Sequence, residues 1–345
     1  MAVSKDIIAM GRGNLAVRDP LGNMGLNLRQ RIESRSPPQQ PDLNIFDPRA
    51  LQHGADQFTV DFDPEQSTLW CMYKHADRPC YTQKVLDQIL WLQSKLSRCP
   101  PHSTSPGSAP RCLVWASDMD GVFNLGGDLD LFVTLIRSGD EDGLRRYAHR
   151  CVDTVYNNLT NVGLPLLNIT LVQGDALGGG FEAALSSDII IAERQSKFGL
   201  PEILFNLFPG MGAYSLLCRR LDGAKARQMI LSGRLYSAEE MYELGIVDVL
   251  AEPGEGRAAV RRYIEQNRRR YRMLLALGDV RRRCQTISYE ELIDVTDLWV
   301  DTALNLQEAD LRRMERLVDA QKRRHCRLKG RKKCMMAKLG SIGKA

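Results

Sequence analysis

Between Asp175 and Phe205 the chain reads DALGGGFEAALSSDIIIAERQSKFGLPEILF, which sets Glu182 two positions after three consecutive glycines, at the head of an otherwise apolar helical pattern. A carboxylate among Phe181, Ala183, Ala184 and Leu185 is costly to bury unless a partner holds it or it has chemistry to perform. A second carboxylate, Glu202, follows Gly199-Leu200-Pro201 just beyond a strand-like segment. Glycines let backbone N–H groups approach a ligand closely, and the first turn of a helix carries unpaired donors. The earlier Leu125-Gly126-Gly127-Asp128, between a strand and a helix, offers a second such donor. Two N–H groups converging on one thioester oxygen would stabilise an enolate or a tetrahedral oxyanion by roughly 3–4 kcal/mol per donor.

Plainer readings stand beside this one. Glycines before a helix are often only a tight turn. Glu182 as a helix-capping acid would need Ser or Thr three positions earlier, where Gly179 stands. Glu202, directly after Pro201, also fits a first-turn glutamate facing a helix dipole.

The elements that must position these groups follow from hydrophobic periodicity. Residues 58–62 and 68–72 read as a strand pair across a DPEQS turn, and residues 82–97 have helical spacing in Val85, Leu86, Ile89, Leu90 and Leu92. Residues 113–116, 122–124, 167–172 and 188–192 read as strands, with helical patterns over 144–159. Strands alternating with helices predict an α/β domain. From Gly256 onward the strand signals stop, and YEELIDVTDLWVDTALNL predicts a helical C-terminal region. The expected organisation is a flexible N-terminal arm over 1–56, a catalytic domain over 57–255, a helical region over 256–321 for oligomerisation and pocket cover, and a basic tail over 322–345.

At 345 residues, 43% hydrophobic and 26% charged, the chain can bury a full core. No run approaches the roughly 18 apolar residues of a membrane span, and MAVSKDIIAMGRGN lacks a signal-peptide pattern, so a cytoplasmic protein without a membrane partner is expected. Nine scattered cysteines without a CxxC pair fit reduced thiols better than a disulfide framework or a zinc site. From Arg312 to the end, 13 Lys/Arg face 2 acids, and from Arg257 to Arg283, 10 Arg face Glu265 and Asp279. The rest of the chain therefore carries −14 against a total of +5. Gly11-Arg-Gly13-Asn-Leu-Ala16 matches a dinucleotide fingerprint by letters, but no helix pattern follows it, and no GxSxG elbow occurs.

The glycine pair after a strand, GGGFE, FGLPE (198–202), FPGMG (208–212), LSG (231–233) and GIVD (245–248) occur in the order and spacing of the crotonase (enoyl-CoA hydratase/isomerase) superfamily. The resemblance covers residues 58–250, and FNLGGDLDLF, VQGDALGGGFEAALS, GLPEILFNLFPGMGAYS and LYSAEEMYELGIVD look most like its diffusible signal factor synthase branch. It implies a crotonase-like spiral of ββα units. It further implies that Gly127 and Gly179 supply the oxyanion-hole N–H groups, that Glu182 and Glu202 are the catalytic carboxylates, and that Leu177, Met211 and Trp299 line the acyl pocket. For Trp299 a buried helix aromatic is the plainer reading.

The function so implied is a bifunctional dehydratase and thioesterase, which turns a 3-hydroxyacyl thioester into a cis-2-unsaturated fatty acid signal of quorum sensing. Glu202 would act at C2 and Glu182 at the C3 oxygen. The resemblance implies no cofactor beyond the phosphopantetheine that carries the substrate, on acyl carrier protein or coenzyme A. A trimer or hexamer and a regulatory signalling partner are also expected, with nucleic acid an unlikely ligand. Two alternatives remain: an enoyl-CoA hydratase/isomerase of fatty-acid metabolism, or a non-catalytic crotonase-fold binding module. The glutamate pair argues against the module, and the branch motifs against the metabolic enzyme. The Arg257–Arg283 block, read as a helix beside the catalytic domain, is the expected docking surface for an acidic carrier protein.

Overall fold

Alternating buried and exposed side chains mark Phe58–Asp63 (β1) as an edge strand, whereas Thr68–Tyr73 (β2) is buried along its whole length and lies inside the sheet. The computed structural model describes residue 51 and residues 56–76, 78–98 and 109–323. β1 and β2 pair antiparallel, with Phe58 opposite Tyr73 and Asp63 opposite Thr68. The other strands of this sheet are β3 (Cys112–Ser117), β5 (Leu167–Val172), β7 (Ile189–Glu193) and β10 (Val249–Ala251), in the order β1-β2-β3-β5-β7-β10. All pairings after the first are parallel, which explains the near-continuous apolar runs that the sequence shows there.

A second sheet, β4 (Gly121–Asn124), β6 (Gly174–Leu177), β8 (Lys197–Gly199) and β9 (Leu235–Ser237), is ordered β4-β6-β8-β9. Each of β3, β5 and β7 passes directly into a strand of this sheet and then into helix. After β4 come α2 (Leu129–Ser138) and α3 (Glu141–Leu159), and after β6 comes α4 (Gly179–Leu185). After β8 come a 3-10 turn (Pro201–Phe205), α5 (Ala213–Arg220) and α6 (Gly223–Ser232). Helix α1 (Gln83–Leu96) connects β2 to β3. The expected α/β spiral of ββα units is thus present. β4, β6 and β8 are mutually parallel. Their C-terminal ends therefore open at one edge, and the three glycine- and glutamate-bearing segments all start there.

Helix α7 (Ala238–Glu243) precedes β10, and beyond it the C-terminal region is helical as expected: α8 (Gly256–Gln266), α9 (Tyr271–Cys284), α10 (Tyr289–Leu304) and α11 (308–323). Helix α10 starts at Ser288, whose hydroxyl accepts the Glu291 N–H, and buries Leu292, Thr296, Trp299, Val300 and Ala303 along one face. Among the described residues no helix is long and apolar enough to cross a membrane.

One expectation is corrected. The Arg257–Arg283 block is not a single helix but is divided among α8, a 3-10 turn over Arg268–Arg270, and α9. Helix α9 buries no residue. Its Tyr271 hydroxyl lies within hydrogen-bond distance of the carbonyls of Arg111 and Pro165 and shares its one proton between them, while Arg281 and Arg282 pair with Asp188. These partners all precede β3, β5 and β7, so α9 sits where the strands begin, not at the edge where the glycine segments lie. The basic tail differs as well at its first residues: α11 continues through Lys322 and Arg323, and Lys322 pairs with Asp130 at 2.9 Å. The remaining tail, the N-terminal arm apart from Leu51 and Asp56, and the Gly11–Ala16 motif lie outside the described residues.

Candidate active site

The backbone donors come first, because their geometry is fixed by glycine. Gly126 has φ +95°, and a Cβ on it would lie 2.9 Å from both the Gly179 nitrogen and the Leu177 oxygen. Only glycine fits both that dihedral and that approach. Gly126 N–H donates to Asn124 Oδ1 at 2.8 Å, and the Gly126 carbonyl accepts Tyr81 N–H at 2.8 Å. The loop is thereby held against the start of α4, where a Cβ on Gly179 would meet Gly127 N at 3.5 Å. Neither Gly127 N–H nor Gly179 N–H has a hydrogen-bond partner among the described residues. Helix α4 has only seven residues and no side-chain cap, so the local donors matter more than any macrodipole.

The carboxylates are held differently from each other. Glu182 is 1% exposed, and its Oε1 accepts the N–H of Met211 at 2.8 Å and of Ala213 at 2.9 Å. The FPGMG stretch makes this grip possible, because Gly212 turns with φ +107° and the N–H groups on either side of it, of Met211 and Ala213, point at the same oxygen. Glu202 lies on the 3-10 turn after β8 and is half-buried. Its Oε2 is nevertheless sealed and without a hydrogen-bond partner, while its Oε1 packs against the Gly178 backbone. Burial raises the Glu182 carboxyl from its ordinary 4.5 to about 7, partly opposed by the two N–H donors. Burial, and then the charge of Glu182, push Glu202 higher still, to about 8. Both are thus harder to ionise than free glutamates, and the two donors at Glu182 favour leaving a shared proton on Glu202.

A stability consequence follows with a definite sign. The folded pair keeps protons that an unfolded chain releases near 4.5, so its contribution is complete below that pH and is lost as pH rises through about 7 and 8. Melting curves between about pH 5 and 9 should therefore fall more steeply for the wild type than for Glu202→Gln, which buries only the Glu182 charge. Parallel curves would show that ionising Glu202 costs the fold nothing.

All seven residues singled out from the sequence, Gly127, Leu177, Gly179, Glu182, Glu202, Met211 and Trp299, line one cavity of about 340 Å³. Trp299 is both a buried helix aromatic and a wall of that cavity: it packs edge-on against Phe132 at 5.1 Å, and Gly210 leaves it the room that a Cβ would fill. Sequence reasoning did not single out Phe132, Tyr147 and Cys151, nor Leu317, Ala320 and Gln321 of α11, which also line it. The spacing of Leu311, Met314, Leu317 and Val318 carries the signal of a buried face on α11, and three of these four are fully buried. Leu204 and Leu235, both about half exposed, mark the mouth. None of the arginines between 257 and 283 reaches the cavity, and its described lining holds no Lys, Arg or His.

A spiral of ββα units, with two unpaired N–H groups and two carboxylates at the open edge of its second sheet, is the crotonase fold. Residues 108–274 match the family model of enoyl-CoA hydratase/isomerase. The fold agrees with that of an enoyl-CoA hydratase from Bacillus halodurans (TM-score 0.63, 20% identity, 75% of this chain and 99% of that one). It agrees likewise with Pseudomonas aeruginosa DspI (TM-score 0.58, 23% identity, 78% and 96%). By sequence, the chain is 34% identical over 136 residues to the Arabidopsis thaliana peroxisomal fatty acid beta-oxidation multifunctional protein AIM1, covering 39% of this chain but 18% of that protein. It is 30% identical over 225 residues to the human mitochondrial methylglutaconyl-CoA hydratase, covering 64% and 63%. The solved structures thus share the fold of this chain, while the family model spans residues 108–274 of it.

Proposed function

We propose that this protein adds water to, or removes it from, the C2–C3 bond of an acyl thioester. The observation that carries this reading is the convergence of two unpaired N–H groups and two carboxylates with raised pKa on one apolar cavity. In dehydration, Glu202 takes the C2 proton, the N–H groups of Gly127 and Gly179 hold the enolate oxygen, and Glu182 protonates the departing C3 hydroxyl. In hydration the proton starts on Glu202 and Glu182 accepts one from water. The environment favours that second arrangement at rest, because Glu182 has two donors and Glu202 Oε2 has none. A single shared proton lets either direction proceed with the same groups.

The lining also narrows the acyl group. A methylglutaconyl group carries a carboxylate, and among the described residues the cavity lining offers no cation to meet it. An apolar chain on the phosphopantetheine of coenzyme A or of acyl carrier protein fits better, with no further cofactor. The finer reading is the signal synthase: dehydration to a cis-2-enoyl thioester, then hydrolysis to the free acid, by a trimer or hexamer supplied by acyl carrier protein and restrained by a signalling partner. Its support is the branch-like motifs together with the DspI fold. Simple hydratase/isomerase chemistry is the alternative.

One experiment separates these. The wild type is given 3-hydroxyacyl and 2-enoyl thioesters of several chain lengths, and products are read by mass spectrometry. Interconversion alone marks the hydratase, a released cis-2-unsaturated acid marks the synthase, and neither product sinks both. In the same series Trp299→Ala should shift the preferred chain length, because it removes a wall of the cavity. An unchanged ranking with a lower Tm would leave Trp299 as a core residue only.

A further inference from the structure

The Gly127 N–H can point into the cavity only if the two peptide units beside it are fixed, and one side chain reaches the backbone on both sides of it, through a bridge between Tyr81 and Gly127. The N–H of Gly127 belongs to the same planar, trans peptide as the Gly126 carbonyl, so whatever holds that carbonyl aims the N–H in the opposite direction. The Gly126 carbonyl is held by Tyr81 N–H at 2.8 Å. Tyr81 is in turn held through its own carbonyl, which accepts the Tyr147 hydroxyl at 2.5 Å. The same hydroxyl accepts Asp128 N–H at 3.0 Å, which fixes the peptide on the other side of Gly127. We infer that Tyr147 is a positioning residue: its hydroxyl holds the peptide after Gly127 directly and steadies the one before it through Tyr81, and so aims the oxyanion-hole N–H.

The surroundings restrict Tyr147 to that task. It projects from α3 with 2% exposure, and its ring packs edge-on against Phe132 at 5.2 Å. The Phe132 ring stands 2.7 Å from where a Gly127 Cβ would sit, so the same aromatic pair backs the loop. Burial raises the Tyr147 hydroxyl well above its ordinary value, which keeps the proton needed for Tyr81 in place. With its one proton given to Tyr81 and Asp128 N–H accepted, the hydroxyl of this lining residue is committed to the loop and does not serve as an acid. Asp128 is secured independently: Arg78 pairs with its carboxylate at 2.7 Å, and the same carboxylate accepts Leu131 N–H. The loop therefore stays folded when the hydroxyl is lost, and only its aim changes.

This inference rests on the oxyanion-hole reading above, and its test separates the two. A saturated acyl-CoA, labelled with carbon-13 at the thioester carbonyl, is bound to the full-length protein and its carbonyl stretch is read by infrared difference spectroscopy. The wild type should shift the stretch to lower frequency. Tyr147→Phe, which keeps the ring, should lose most of that shift and at least about 10-fold in kcat, while the Kd of the analogue moves less than about threefold. Leu144→Ala, a buried position on the same helix that does not line the cavity, should lower Tm and keep the shift. A full shift and normal kcat in Tyr147→Phe, or an equal loss of shift in Leu144→Ala, overturns the inference while the oxyanion hole stands. No shift in the wild type removes both.

Discussion

Glu182→Gln and Glu202→Gln should each slow interconversion of 3-hydroxyacyl and 2-enoyl thioesters by at least about 100-fold, the usual size of a lost acid–base group, with the fold intact. The substitutions are nearly isosteric. In Glu182→Gln the amide oxygen can still accept the N–H groups of Met211 and Ala213, so the FPGMG turn keeps its anchor while the group loses its titratable proton. In Glu202→Gln the sealed Oε2 is replaced by a neutral group, which removes a burial cost. The two differ in one readout. Exchange of the C2 hydrogens of a bound saturated thioester with deuterated solvent needs the base at C2 but not the acid at C3. Exchange should therefore disappear in Glu202→Gln and survive in Glu182→Gln. The opposite pattern would exchange their roles, and normal turnover in both would end the mechanism.

What could be read from the sequence is what depends on neighbours along the chain. A carboxylate at the head of an apolar helix, behind three glycines, advertises its own cost, and so Glu182 and Gly179 were visible without coordinates. The buried strands were visible because parallel strands covered on both faces read as unbroken Val, Ile and Leu. Tyr147 was not, since its hydroxyl reaches Tyr81 and Asp128, 66 and 19 residues away, and nothing near it in the chain asks for a partner. The cavity wall from Leu317, Ala320 and Gln321 arises only when α11 folds back over α2, held by Arg137 to Glu308 and Glu315 and by Lys322 to Asp130. The arginine block shows the limit most plainly. Counting charges located a cationic segment but carried no direction, and it was Tyr271, Arg281 and Arg282 that fixed α9 where the strands begin. The grip on Glu182 lies between these extremes: PGMG is conspicuous, yet its effect depends on the positive φ of Gly212.

Gly126→Ala should be as damaging as losing a carboxylate, though no side chain is removed. Gly126 is the residue before the donor at 127. Its φ of +95° is one that L residues rarely adopt, and the added methyl would sit 2.9 Å from backbone atoms that cannot rotate away, the Gly179 nitrogen and the Leu177 oxygen. Relief requires loop 125–128 to withdraw from the start of α4, which separates the Gly127 and Gly179 N–H groups. Losing one oxyanion donor costs on the order of 100- to 1,000-fold in kcat. Strain alone would lower stability without that loss, and Gly139 supplies the comparison: it too has a positive φ, +65°, but a Cβ there meets nothing within 4 Å. Gly139→Ala should therefore lower Tm and leave kcat near the wild-type value, whereas Gly126→Ala should lower both. Steady-state kinetics and melting curves of the two variants, measured side by side, decide the matter. Equal kcat losses would mean that backbone strain anywhere in the loops abolishes turnover. A fully active Gly126→Ala would mean that the Gly127 N–H does not hold the thioester oxygen.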